Sequence, residues 1–368
     1  MSKPIAMCIV GARPNLVKMA PILRAMDADG GLQPLLVHTG QHYDAAMSDV
    51  FFKDLDIRYA PVNLGVGSGT HAAQTGTIMR ALEELVSESA PSVMVTVGDV
   101  NSTLAAALVA AKAGLRQAHV EAGLRSGDPE MPEEVNRVVT DRLADLLFTH
   151  SDEADENLIG EGVSAARIHK VGNVMIDSLL LLRPRWQGAA RVALEGLPDR
   201  YAVVTLHRPS NVDNPARLAR LLEALSSAST ELPIIFPVHP RTRARLPETP
   251  LAGLRLVEPM GYLAFLDLVE HASAVLTDSG GIQEETTVLG VPCLTLRNST
   301  ERPVTIRLGT NRLLGEDPSA ILPALETSVS TPVGTPPTVP LWDGHAADRL
   351  VRILSAAVAN PLPLRLSE

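Results

Sequence analysis

The chain alternates two hydrophobic patterns from end to end. Short runs that are apolar at almost every position are separated by longer stretches where apolar residues recur every three or four positions. A fully apolar run is the signature of a strand buried on both faces, and the three-to-four spacing is that of a helix covering it. In the first half the runs at 5–10, 33–38, 92–97, 117–121 and 146–149 predict strands, and 15–26, 43–52, 102–113, 133–144 and 153–160 predict helices. The second half restarts the pattern, with strands at 201–206, 233–238, 254–257, 272–276 and 291–296 and helices at 215–227, 262–269, 281–289 and 319–329. Between the halves, Pro184, Trp186, Gly188 and Pro198 break the rhythm and predict a linker at 181–198. The expectation is an α/β protein of two doubly wound domains, 1–180 and 199–340, facing a shared cleft. Thr331 to Leu341 is rich in Pro, Thr and Gly and reads as a loop or crossover. A last helix at 345–358, in a terminal segment 341–368, is expected to pack back towards the first domain. No repeat of fixed 20–50-residue period is visible.

The stretch LTDSGGIQEETTVLGVPCLTLRNSTER, residues 276–302, is the most informative. An apolar run ends in Asp278-Ser279-Gly280-Gly281, a helical segment follows, and a second apolar run begins at Val291. That is one βαβ unit with a glycine turn. Ser279 suits an N-cap, and two glycines let a ligand approach bare backbone. The amides and dipole of such a helix start favour a phosphate. Glu284 and Glu285, one turn further in, could take ribose hydroxyls. The segment reads as a cradle for a nucleotide diphosphate.

Composition narrows the partners. At 368 residues, 45% apolar and 20% charged, the chain fits a globular enzyme with room for two cores. A net charge of −10, from 32 basic and 42 acidic residues, argues against wide contact with nucleic acid or an anionic membrane. No apolar run reaches the ~20 residues of a membrane helix, and Met1-Ser2-Lys3-Pro4 runs straight into a strand without a signal-like segment. Cys8 and Cys293 both fall in strand-like runs, which fits two buried thiols in a reducing cytoplasm. Neither is expected to be a nucleophile. No histidine spacing suggests a metal site, no GxGxxG follows the first strand, and no GxxxxGK[ST] is present. A metal, a dinucleotide cofactor and a Walker-type NTPase are therefore disfavoured.

The chemically capable residues sit at strand ends, where ligands bind in doubly wound sheets. The first strand ends in Gly11-Ala12-Arg13-Pro14, with Lys18 one turn on, so Arg13 and Lys18 could be cations at the cleft floor or simply a solvated helix start. Val97-Gly98-Asp99 and His119-Val120-Glu121 close two further strands, and Met131-Pro132-Glu133-Glu134 opens a helix. Thr205-Leu206-His207-Arg208 closes the first strand of the second half. Asp99, Glu121, Glu133 and His207 are thus four titratable groups aimed at one cleft. Each has a plain alternative: Asp99 as a helix cap, Glu133 as a dipole partner, His207 as a packed imidazole. Gln41-His42 and His239-Pro240-Arg241 could line the cleft or cap turns.

Together these segments resemble the non-hydrolysing UDP-N-acetylglucosamine 2-epimerases. The resemblance rests on GARPNLVKMAP (11–21), TGQHYD (39–44), GDVNST (98–103), HVEAGLRSGD (119–128), MPEEVNR (131–137), VGNVMID (171–177), TLHRPSN (205–211), DSGGIQEE (278–285), TERP (300–303) and GTNRLLG (309–315), in family order. It implies two Rossmann-like domains, a fold like that of the GT-B glycosyltransferases, a cytoplasmic homodimer, and no cofactor. It assigns the diphosphate to Arg13, Lys18, Ser279, Gly280, Gly281 and Arg302, the ribose to Glu285, the uracil side to Phe265, and proton transfer and sugar contacts to Asp99, Glu121, Glu133 and His207. The implied reaction interconverts UDP-GlcNAc and UDP-ManNAc. UDP leaves C1 as C2 loses its proton, giving a 2-acetamidoglucal; the proton returns to the other face and UDP adds back.

Four positions depart from the family pattern. Asn15 stands where Glu is common, Val100 where Thr is common, and Pro209-Ser210-Asn211 follows His-Arg where Glu and Asn are common. Gln41-His42-Tyr43-Asp44 lacks the Gln-His-Arg-x-Met-Leu signature of allosteric members, which implies weak or absent activation by substrate. The same motifs also cover 2-epimerases of a UDP-2,3-diacetamido-glucuronic acid, whose carboxylate Arg125, Arg208 or Arg241 could meet. A hydrolysing epimerase releasing ManNAc, a GT-B glycosyltransferase and an inactive UDP-sugar binding module are the remaining alternatives.

Overall fold

The computed structural model describes residues 3–41, 51–247, 252–330 and 336–360. Residues 43–50 of the helix predicted at 43–52, most of the Gln-His-Tyr-Asp segment, and 331–335 of the predicted loop lie outside these residues. The chain divides into two compact units, Met1–Leu181 with Pro340–Glu368, and Leu182–Val339.

The first unit is built on a parallel sheet in the order β3-β2-β1-β4-β5-β6-β7. Its strands are β1 Ile5–Val10, β2 Gln33–His38, β3 Val62–Asn63, β4 Val93–Val97, β5 Arg116–Val120, β6 Leu146–Thr149 and β7 Ile168–Lys170. Every residue of β4, β5 and β6 is buried, as a strand covered on both faces requires. The covering helices include α1 Arg13–Asp29, α2 His71–Ser89, α3 Asn101–Lys112, α4 Pro132–Leu143, α5 Asp152–Gly160 and α6 Val174–Leu182. Met7, Ile9, Val37 and Met94 from the sheet pack with Ile78 and Leu82 from α2 and Ala105, Ala106 and Val109 from α3.

The second unit repeats the plan with a parallel sheet in the order β10-β9-β8-β11-β12-β13. Its strands are β8 Ala202–Thr205, β9 Ile234–Pro237, β10 Leu254–Val257, β11 Ala274–Thr277, β12 Cys293–Thr295 and β13 Asn311–Leu313. Between them run α7 Ala189–Ala193, α8 Pro209–Val212, α9 Pro215–Ala228, α10 Pro240–Arg243, α11 Tyr262–Glu270, α12 Gly280–Leu289, α13 Val304–Arg307 and α14 Ile321–Ser330. One core of Val204, Leu218, Leu221, Leu225, Ile234, Phe236, Leu276, Leu294 and Ile321 joins the sheet to α9 and α14.

Residues 182–198 are ordered against this second unit. Trp186 is fully buried and donates from Nε1 to Glu270 at 2.6 Å, and Ala190 donates to buried Asp267 at 2.7 Å. The last helix, α15 Ala346–Ala359, belongs to the first unit and packs on α1. Asp177 of α6 caps its start, accepting from the amides of Ala346 and Ala347 at 3.2 and 2.7 Å. Burial pushes the Asp177 carboxyl up to about 6. Both cysteines are buried and reduced, and burial raises their thiols to about 12 for Cys8 and about 11 for Cys293, which suits packing and not nucleophilic attack.

Candidate active site

In each sheet the strand order reverses once, between β1 and β4 and again between β8 and β11. Ligands of doubly wound sheets bind beyond the carboxyl ends of the strands at that reversal. Those ends carry most of the residues singled out from the sequence.

In the first unit, Arg13 opens α1, and its guanidinium lies 5.8 Å from the centre of the Phe51 ring. The N-cap, Ala12, has no side-chain acceptor, and Asn15 does that work instead. Its Oδ1 accepts from the amides of Gly11 and Ala12 at 3.1 and 3.0 Å, and its Nδ2 donates to the Val97 carbonyl at 3.0 Å. A carboxylate could accept both amides but could not donate to Val97. Asn15 thereby ties the first turn to the end of β4.

Lys18 and Glu121 form a buried ion pair with each other. The sequence reading sends Lys18 to a diphosphate; in the fold it neutralises a candidate acid/base residue. Glu121 has φ of 72°, a left-handed conformation that costs a non-glycine residue about 1–3 kcal/mol. The bond from its amide to the Phe148 carbonyl, 3.0 Å, helps hold it there. Gly98, at φ 71°, shows how tightly these groups converge. A Cβ there would sit 3.4 Å from Asn15 Nδ2, 3.4 Å from Glu121 Oε2 and 3.5 Å from Lys18 Nζ.

Asp99 is not a helix cap. Val100 occupies that position, without a side-chain bond, and Asp99 instead accepts from Arg137 Nε at 3.0 Å and forms an ion pair with Nη2 at 3.0 Å. Asn136 donates to the Asp99 carbonyl at 2.8 Å. The adjacent carboxylates of α4 divide their roles. Glu134 is buried, accepts the amides of Ser126 and Gly127 at 3.0 Å, and pairs with Arg137. Glu133 is half-buried and makes no hydrogen bond or ion pair among the described residues, leaving its carboxylate available. Asn136 and Arg137 are functional neighbours that the sequence reading passed over, although both lie inside MPEEVNR.

In the second unit, His207 follows β8 and Asp278 follows β11. Asp278 is completely buried and collects the amides of His207 and Arg208 at 3.1 and 3.0 Å, Asn211 Nδ2 at 3.1 Å, and His207 Nδ1 at 2.8 Å. Burial alone would raise its carboxyl, but His207 and these donors more than offset that and hold it below the ordinary range. With Nδ1 on Asp278, His207 turns Nε2 away from the carboxylate, and 40% of its side chain is exposed. His207 is therefore an oriented imidazole and not a packed one. Asp278 was read only as part of the glycine turn. Asn211, which follows the substituted Pro209-Ser210, also donates to the Leu296 carbonyl at 3.0 Å and accepts from Arg217 Nε at 3.0 Å. His239 accepts the Arg241 amide on Nδ1 at 3.2 Å and lies 5.7 Å, ring to ring, from His207. It both caps a turn and borders the site.

The helix start at Ser279-Gly280-Gly281 is present, with one correction. Ser279 is the N-cap of α12, but its hydroxyl makes no capping bond. Gly280 is needed for a close approach: a Cβ there would lie 2.4 Å from Arg302 Nη1 and 2.6 Å from Glu301 Oε1. Buried Glu301 gathers Arg297 at 2.8 Å, Arg302 at 2.5 Å and Arg208 at 3.4 Å. Burial alone would raise its carboxyl, yet the three guanidiniums depress it far below the usual range. Arg302 also meets Glu284 at 3.0 Å. Glu284 is fully buried in this pairing. Guanidiniums gathered beside a helix N-terminus are an arrangement that suits a phosphate. Glu285 accepts from the Tyr262 hydroxyl at 2.9 Å, and burial with that carboxylate raises the hydroxyl well above its ordinary value. Phe265 lies half-buried in the same helix, α11.

Among the described residues, Asp267, Glu270 and His271 lie close enough together to hold an ion. Glu270 takes Arg183 at 2.6 Å and Trp186, and Asp267 Oδ2 takes the Ala190 amide. This cluster fastens residues 183–190 to α11.

Two doubly wound units, one ending in carboxylates and a buried lysine, the other in an Asp-oriented histidine and an arginine-lined helix start, define a nucleotide-sugar enzyme of the GT-B-like class. A family model described as UDP-N-acetylglucosamine 2-epimerase matches residues 24–355. The UDP-N-acetylglucosamine 2-epimerase of Methanocaldococcus jannaschii is 39% identical over 360 residues, covering 94% of this chain and 98% of its own. The UDP-2,3-diacetamido-2,3-dideoxy-D-glucuronate 2-epimerase of Pseudomonas aeruginosa is 39% identical over 325 residues, covering 87% and 91%. The crystal structure of the M. jannaschii enzyme in complex with UDP-GlcNAc and UDP superposes with a TM-score of 0.89 at 39% identity, covering 96% of this chain and 99% of that one. The chain belongs to the UDP-N-acetylglucosamine 2-epimerase family. No helix among the described residues is long and apolar enough to cross a membrane.

Proposed function

We propose that the protein interconverts UDP-GlcNAc and UDP-ManNAc without hydrolysis. What supports this most is full-length similarity to an epimerase solved with UDP-GlcNAc and UDP, with an intact set of strand-end groups. The second unit supplies the hold on UDP. The α12 start, Ser279, Gly280, Gly281 and Arg302 take the diphosphate, Glu285 the ribose, and Phe265 flanks the uracil; from the first unit Arg13 adds a cation. These groups stabilise the charge that develops as UDP leaves C1. Asp99, Glu121, Glu133 and His207 take and return the C2 proton and bind the sugar. Lys18 is proposed to meet the diphosphate as well, while its ion pair holds Glu121 in place. No redox cofactor is required, because C2 inverts through loss and return of a proton. The protein is proposed to work as a cytoplasmic homodimer; light scattering that returns the single-chain mass of 39.2 kDa would refute the dimer.

A second substrate has specific support. The P. aeruginosa relative is as similar as the archaeal one, and its sugar carries a carboxylate. Arg125 is committed to Glu161 and Asp141, and Arg241 to Asp213, whereas Arg208 has a single 3.4 Å contact with Glu301. Arg208 is thus the available cation. Incubation in D₂O with either UDP-sugar, followed by proton NMR, tests both. Deuterium at C2 with formation of the 2-epimer supports the reading for that sugar. Free ManNAc would mean hydrolysis, and no exchange with any UDP-HexNAc or its uronic acid would overturn the proposal.

A further inference from the structure

His119 is the most deeply enclosed histidine near the proposed chemistry, and neither of its ring nitrogens faces solvent or substrate. Its side chain and that of Asp141 are 0% and 1% exposed. Nε2 lies 2.9 Å from the carbonyl oxygen of Gly98, which can only accept, so Nε2 carries a proton. Nδ1 lies 2.6 Å from Asp141 Oδ1. The other oxygen of Asp141 accepts from the Gly123 amide at 3.0 Å and from Arg125 Nη1 at 2.8 Å. Those donors mark Asp141 as an ionised carboxylate, and the proton of the short contact then sits on Nδ1. The same assignment follows from Asp141's titration: burial would raise its carboxyl, but His119, Arg125 and the Gly123 amide hold it low. Behind the pair, Arg125 is itself neutralised by Glu161 at 2.7 Å, so the charges form a closed chain.

We propose that His119 is held as an imidazolium in the resting protein and acts as a positioning residue for Asp99 and Glu121. The geometry explains why a charge is used there. Gly98 immediately precedes Asp99, and His119 lies two residues before Glu121. Gly98, Glu121 and Gly123 all adopt positive φ, so each turn is strained or pliable by itself. One charged bridge from Asp141 through the ring to Gly98, and directly to Gly123, locks both turns. Charge-assisted hydrogen bonds are about twice as strong as neutral ones, and here they are shielded from water.

The catalytic half of this proposal rests on Asp99 and Glu121 acting in proton transfer; the protonation half does not. Ring ¹⁵N NMR of the substrate-free, histidine-labelled protein, with His119→Gln identifying the signals, reads the first directly. Both His119 nitrogens should show protonated shifts. One unprotonated nitrogen at neutral pH would overturn the imidazolium. Asp141→Asn keeps the shape and removes the charge. It should yield a neutral ring and a kcat lower by about 10²-fold, the loss expected when catalytic groups drift by ~1 Å, with KM little changed. Asp141→Glu should recover part of that. His119→Gln, which keeps a donor to Gly98 without the charge, should fall in the same direction. Folded Asp141→Asn or His119→Gln protein with wild-type kcat would overturn the positioning role.

Discussion

Asp278 illustrates how one carboxylate sets the chemistry of a neighbour. It accepts from His207 Nδ1 and from two successive amides, so both the ring and the backbone of His207 are held. In Asp278→Asn the amide nitrogen would face Nδ1, forcing the opposite tautomer and leaving Nε2 protonated. We expect kcat to fall by about 10²–10⁴-fold with little change in melting temperature, since misplacing a general acid–base proton removes most of its contribution. Initial rates of epimer formation check this; a kcat within twofold of wild type would remove His207 from proton transfer. Most individual site residues were legible because they end apolar runs. Their partners were not. That Lys18 pairs with Glu121, or Glu284 with Arg302, depends on residues more than a hundred or nearly twenty positions apart meeting in space.

Helix α3 carries a local cost that its sequence advertises. Its N-cap, Val100, sits in the extended conformation a capping residue needs, φ −78° and ψ 167°, but has no oxygen to offer. Val100→Thr, the residue common in the family, should raise stability by about 0.5–2 kcal/mol through one capping bond. Calorimetry would show it as a higher melting temperature; no rise would mean the half-buried site charges as much for the hydroxyl as the cap returns. The long helix α2, absent from the pattern reading, shows where periodicity fails. Only Gln74, Ile78 and Leu82 are buried, a stripe one residue wide that includes a polar side chain. Thr70, whose Oγ1 accepts the Ala73 amide at 3.4 Å, was the signal that could have marked its start. Strands were easier: β1, β2, β6 and β10 begin and end where the apolar runs do, and in β1 and β6 burial on both faces leaves no polar alternation to blur them.

The chain returns at its end to the unit where it began, and Asp177 is the latch. Its folded-state carboxyl, about 6, lies above the ordinary 3.8, because burial and then the nearby Asp348 and Asp343 outweigh the Ala346 and Ala347 amides. A raised acid binds its proton more tightly when folded. Its stabilising contribution is therefore complete below about pH 4 and lost as the pH rises through about 6. Melting curves across that window should show Asp177→Asn gaining stability relative to wild type as the pH rises, with the difference flat above the window. A difference that does not vary with pH would refute the shift. The sequence by itself determined two alternating α/β halves, the glycine-rich helix start and the positions of most polar strand ends, since local periodicity and turn chemistry act over a few residues. Only the tertiary structure decided that β1 neighbours β4 and β8 neighbours β11, because strand order is set by long-range packing. That order makes Asp278 the partner of His207, and Asn15 and Lys18 the partners of the β4 and β5 ends, turning a set of exposed-looking charges into buried, mutually neutralised groups.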